Sequence, residues 1–246
     1  MNIIMGVQLT FFCDHHIKTS VDSITTLMQE LNKLNMLELL PSVIPGQKLD
    51  LLVGKAVSTT NLGFNSPTGN VQIACMDNRI DCTVKPEANE NLNLEDALSK
   101  CETFLNVILK QYSIQGNRLA INIDVLGKEI NSDIKDTQCG NKIASCIGYY
   151  KDKSLDDLSA RLNTRVPITI SNSQEMVNII TNINSATNNQ TNNKLLICHI
   201  DINTVPEKQD LRFKSNDLKI FIDEIQDIIH QIFNDFEVID NDKKIN

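Results

Sequence analysis

Tryptophan is missing from this 246-residue chain, and aromatic residues make up only 4% of it. Platforms that stack nucleobases or sugar rings need such side chains, so the chain is poorly supplied for either task. No cluster of Lys or Arg occurs, and 23 basic against 31 acidic residues leave a net charge of −8. That balance repels a phosphate backbone and argues against direct nucleic-acid binding. Apolar runs extend over only a few residues, so no transmembrane helix and no membrane partner are expected. Residues 1–12 carry no Lys or Arg and read as a strand, not as a signal peptide; the expected location is the cytoplasm.

Chemical signatures are equally scarce. The nine glycines are scattered, with neither GxGxxG nor GxxxxGKS/T among them, so no phosphate-cradling loop is expected. No GxSxG, HExxH or EF-hand pattern occurs. The seven cysteines, at 13, 75, 82, 101, 139, 146 and 198, include no CxxC pair and sit mostly in apolar stretches. They read as free thiols of a reducing compartment and as small core residues. No cofactor and no metal are expected, and no catalytic residue is assigned.

What is present is enough apolar material, 41%, for a packed core. Residues 3–12 are rich in strand formers. Thr19 or Ser20 can cap a helix whose stripe is Val21, Ile24, Leu27, Met28, Leu31 and Leu34. Pro41, Pro45 and Gly46 are expected to break the pattern, 51–57 reads as a strand, and 61–70 as a turn. The runs 71–75 and 79–84 flank Met76-Asp77-Asn78 and predict a hairpin. In the second run Ile80, Cys82 and Val84 face one way and Arg79, Asp81 and Thr83 the other, which predicts a dry face and a wet face.

Asn93 caps a second helix with a stripe from Leu94 to Tyr112. Residues 118–126 alternate cleanly, with Leu119, Ile121, Ile123 and Val125 inward and Asn122 and Asp124 outward. Residues 127–141 read as a loop, 143–150 as a strand, and a short helix is expected from Ser154 to about Leu162. The alternation at 165–170 predicts a strand, and Pro167 places it at a sheet edge. Strands at 177–183 and 195–202 flank an Asn-rich loop. Ser215 is expected to cap the last helix, whose stripe runs from Leu218 to Phe236. Residues 215–246 hold eight acidic side chains against three lysines, −5 of the total −8.

The fold class predicted is α+β: a largely antiparallel sheet with long amphipathic helices packed on one face. Element order suggests two similar halves, 1–126 and 127–246, forming one compact unit with a saddle shape by analogy to the TATA-binding protein.

Three constellations of side chains could carry chemistry. Cys13, Asp14, His15 and His16 offer zinc-ligating atoms, with Cys198 and His199 as a second pair. Successive strand residues point to opposite faces, however, so His15 and His16 do not readily converge, and a polar strand end is the expected outcome. Seven Cys and four His single out no nucleophile pair, and Cys75, Cys82, Cys101 and Cys198 fall on apolar faces. Asp124 and Asp201 could share a site if their strands are neighbours; solvating a sheet face is the expected alternative.

The run Gly116-Asn117-Arg118-Leu119-Ala120-Ile121-Asn122-Ile123 follows a helix ending in Tyr112. With the strand pair around Val71-Gln72-Ile73 and Arg79-Ile80-Asp81, and the tail Ile200-Asp201-Ile202 leading to Ile232-Phe233, it resembles a sporadically distributed, uncharacterised bacterial protein family of about this length. The resemblance implies mobile or defence-associated genes and carries over no catalytic residue. The function expected is therefore a non-enzymatic protein-interaction module, an accessory or regulatory subunit of a bacterial system such as phage defence or toxin–antitoxin, with a protein partner encoded by a neighbouring gene. The alternative is a metal- or Cys/His-dependent hydrolase or nuclease.

Overall fold

A computed structural model describes residues 3–34, 38–50, 55–87, 90–130 and 133–236. Among these, nine strands and four α-helices follow one another in the order β1 (Ile3–Cys13), α1 (Val21–Asn32), β2 (Leu40–Asp50), β3 (Lys55–Asn65), β4 (Val71–Cys75), β5 (Arg79–Val84), α2 (Leu94–Gln111), β6 (Gly116–Leu126), α3 (Gln138–Cys146), β7 (Ser159–Ile170), β8 (Ser173–Thr187), β9 (Lys194–Thr204) and α4 (Asp217–Asp235). The strands form a single antiparallel sheet in the order β2-β3-β4-β5-β1-β6-β9-β8-β7. The fold is α+β.

The register explains why the period-two pattern was readable. Leu9 of β1 stands between Cys82 of β5 and Ile121 of β6, and Phe11 stands between Ile80 and Leu119. All six are fully buried. Their strands continue the row outward to Ile73 and Phe64 on one side and to Ile200 and Ile202 on the other. Against this row lie the stripes of α1 (Leu27, Leu31), α2 (Leu98, Cys101, Phe104, Leu105, Ile108) and α4 (Leu218, Phe221, Ile225, Ile229), all in one hydrophobic cluster. Helix α2 lies on β1 and β5 and touches both α1 and α4, while α4 reaches β7. Removing these side chains from water is the main driving force for this arrangement.

Capping follows the sequence at two helices. The Ser20 hydroxyl accepts from Ser23 N (3.2 Å), and Asn93 Oδ1 accepts from Asp96 N (2.9 Å). The last helix differs from expectation. It starts at Asp217, Asn216 makes no side-chain cap, and the Asp217 carboxylate instead accepts from Lys214 N (2.7 Å) and from the Ser171 hydroxyl.

Other corrections come from tertiary pairing. Pro41, Pro45 and Gly46 do not interrupt the sheet; they lie within β2, which among the described residues pairs only with β3, so prolines that donate no N–H are tolerated there. Pro167 marks the opposite edge, β7, as the sequence predicts. The segment 61–70 is strand to Asn65, and the turn is confined to 66–70 with Gly69 at φ 72°. The strand expected at 51–57 falls partly outside the described residues.

Residues 143–150 are not a strand. They finish α3, which Thr137 caps by accepting from Gly140 N (2.9 Å), and then form a 3₁₀ turn at Gly148–Tyr150. Nor is there a helix from Ser154. Leu158 O accepts from Ser185 N (2.8 Å), and β7 then pairs with β8 along its whole length. A long cross-strand ladder outweighs a local helical pattern of one or two turns.

Candidate binding surface

The residues that alternate with the core row define the second face of the sheet. At one level Gln72, Thr83, Gln8, Asn122, Asp201, Ile180 and Asn163 stand side by side on seven strands. At the next level stand Ala74, Asp81, Thr10, Ala120, Asn203, Asn178 and Arg165. In this second row the short side chains of Thr10 and Ala120 are buried, as are Asp81 and Asn178. Amides and hydroxyls dominate, each able both to donate and to accept. The charged groups nearly balance: Arg79, Arg118, Arg161 and Arg165 against Asp81, Asp124 and Asp201. A mixed, near-neutral face thus sits on a chain of net charge −8.

Local networks hold these groups in place. Thr10 Oγ1 donates to Asp81 Oδ1 (2.8 Å), and Arg79 Nε pairs with Asp81 Oδ2 (2.9 Å). Burial pushes the Asp81 carboxyl above the usual range, although Thr10 and Arg79 both oppose that shift. Asn203 donates to Asp201 (2.9 Å), and Arg165 bridges Asn178 (2.8 Å) and Glu207 (2.9 Å). At the end of the face the register places Phe12 between Arg79 and Arg118, with the Arg118 guanidinium 3.6 Å above the Phe12 ring.

The candidate residues named from sequence are dispersed, with one exception. Cys13 is buried at the end of β1, where burial lifts its thiol to about 11; its Sγ lies 3.9 Å from His15 O. Asp14 is exposed, His15 tilts against Tyr112, and His16 Nδ1 contacts Asp77 of the β4–β5 hairpin (2.8 Å). Cys75 and Cys198 are lifted to about 12 by burial, and Cys101 Sγ donates to Cys82 O (3.3 Å) inside the core. A thiol held that high supplies almost no thiolate at neutral pH. Among the described residues, no three His, Cys, Asp or Glu converge as a metal site.

The exception is the strand pair β6–β9. Asp124 stands directly opposite His199, with Oδ1 2.7 Å from Nδ1. Asp201 lies two residues along, opposite Asn122. Asp124 and Asp201 therefore share one face of neighbouring strands, but Asp124 is partnered by His199 rather than by the second carboxylate. Sequence reasoning missed Arg118, which lies outward on β6 by the same alternation that marks Asn122 and Asp124. It also missed Glu175 and Arg212, whose pairing is non-local. No protein-family model matches the chain, and no curated protein matches it.

Proposed function

We propose that the protein is a non-enzymatic interaction module that docks a protein partner on the second face of its sheet. The supporting observation is that face itself: rows of amide and hydroxyl side chains spread over seven strands, with balanced charge. Polar groups spaced at the strand repeat suit hydrogen bonding to an extended or flat protein surface. The net charge of −8 favours a basic protein partner over a nucleic acid and speeds its encounter.

The setting, an accessory or regulatory subunit in a bacterial system such as phage defence or toxin–antitoxin, rests on the family resemblance of the sequence. The finer architectural reading belongs here as well. From the centre outward the sheet runs β1, β5, β4, β3, β2 on one side and β6, β9, β8, β7 on the other. This order supports two related halves divided ahead of β6 rather than after residue 126, the second one strand shorter.

The test is co-purification of the tagged protein with the products of adjacent genes. Asn122→Arg and Gln8→Arg, which add bulk and charge at the middle of the face, are expected to abolish capture without unfolding the chain. Undiminished capture by both variants would place the interface elsewhere, and no capture at micromolar concentration would refute the reading.

A second reading, a hydrolase, is favoured by one observation: the Asp124–His199 pair has the orientation of a carboxylate-supported general base. Turnover of any ester, amide or phosphodiester substrate that His199→Ala removes would establish it.

A further inference from the structure

The segment 206–211 folds against the end of the open face and encloses, with β1 and β6, a cavity of about 450 Å³. Phe12, Asn78, Asn117, Arg118, Lys208 and Gln209 line it. The surrounding arginines are all matched: Arg79 by Asp81, Arg165 by Glu207, and Arg212 by Glu175. Arg118 is not. Its Nε is buried without any hydrogen-bond partner, and its guanidinium rests on the Phe12 ring.

A buried donor left unpaired is costly, more so on a charged group, and such groups in folded chains are expected to have a partner. The cation–π contact holds the guanidinium plane but satisfies none of its N–H groups. Burial and the nearby Arg79 both disfavour the charge, while Asp201 supports it from a distance. Lys208 adds a second cation to the lining, and Asn117 and Gln209 add amides. The chemistry missing from this corner is an oxygen acceptor with negative charge, which a guanidinium fork binds in two parallel bonds.

We propose that this cavity binds an oxyanion, a carboxylate or phosphate group carried by a small molecule, with Arg118 as its principal anchor. Lys208 is a secondary contact, since Glu175 already holds part of its charge (3.2 Å). Asp14, exposed at the rim, limits the negative charge the cavity accepts and favours a singly charged group. The proposal does not depend on the docking of a protein partner: a chain that captures no partner can still bind the ion.

The experiment follows the arginine Nε–Hε resonances of the full chain during titration, at mildly acidic pH where phosphate is mainly the monoanion, with inorganic phosphate and, separately, with acetate at constant ionic strength. Arg118→Lys identifies its own signal by deletion. A saturable shift of the Arg118 signal is expected with one or both probes, and which probe acts tells phosphate from carboxylate. Lys208→Met, at a half-exposed position, is expected to weaken binding by no more than about tenfold and to leave the Arg118 signal in place. Absence of a saturable Arg118 shift with both probes, or an equal shift with chloride, would overturn the proposal.

Discussion

Replacing Glu175 by Ala is expected to destabilise the protein more than any other single carboxylate change on the second half of the sheet. The side chain is 1% exposed, and its two oxygens receive Arg212 Nε (3.1 Å) and Nη2 (3.2 Å) in a fork, plus Lys208 Nζ (3.2 Å). Arg212, only 14% exposed, also donates to Asn117 O (2.6 Å). This pair fastens residues 206–214 to β6 and β8, together with the Gly116–Phe213 backbone bridge (2.9 Å in each direction). Breaking a buried pair from one side costs about 3–5 kcal/mol, because a charge is stranded without a partner. Arg212 keeps some access to water, so the lower end, about 3 kcal/mol, is the expected loss. Lys208 is 45% exposed and adds little. For a chain of this size the loss corresponds to a fall in Tm of about 6–12 °C. Urea unfolding followed by circular dichroism measures the stability. Hydrogen exchange at the amides of Gly116, Arg212 and Phe213 reports whether the strap loosens first, as local opening requires. A double variant, Glu175→Met with Arg212→Met, is expected to lose less than the sum of the two single changes by about 1 kcal/mol or more, since no unpaired charge remains. A Glu175→Ala loss under about 1 kcal/mol, with unchanged exchange in the strap, would refute the assignment of this pair as the fastening.

Two further outcomes are expected. Asp81 has its pKa raised by burial, so its share of stability is fully present below the usual carboxylate pKa and is lost as pH rises through the folded value. Urea midpoints between acidic and neutral pH should therefore decline for the native chain through that window and stay flatter for Asp81→Asn; equal slopes would show that the carboxyl is not destabilised by its surroundings. Cys146 is the exposed thiol, whereas the other six are buried, with Cys13 at about 11 and Cys75 and Cys198 at about 12. Titration with a thiol-specific reagent should thus modify one cysteine in the folded protein and seven after denaturation, and rapid labelling of Cys13 or Cys198 would revive a cysteine-nucleophile role.

The hairpin at Met76–Asn78, the cap at Asn93, the alternation at 118–126 and the edge position of Pro167 were all readable in the sequence, because each depends on neighbours within a few residues. The same alternation predicted a wet sheet face and placed Asn122, Asp124 and Asp201 near it. The strand nature of 40–50 and of 159–162 was not readable: prolines and a helix-like spacing misled there, and pairing with β3 and β8 decided the outcome.

The amino-acid order by itself determined which side of each central strand is oily, since side-chain direction follows from backbone geometry alone. Only the tertiary structure decided which strands are neighbours. That ordering set Asp124 against His199, seated Arg118 on Phe12 without an acceptor, and brought Glu175 to Arg212 across 37 positions of chain. The physical reason is that hydrophobic burial specifies a face but no particular partner on it, whereas the groups that matter for binding are brought together by register between strands distant in sequence.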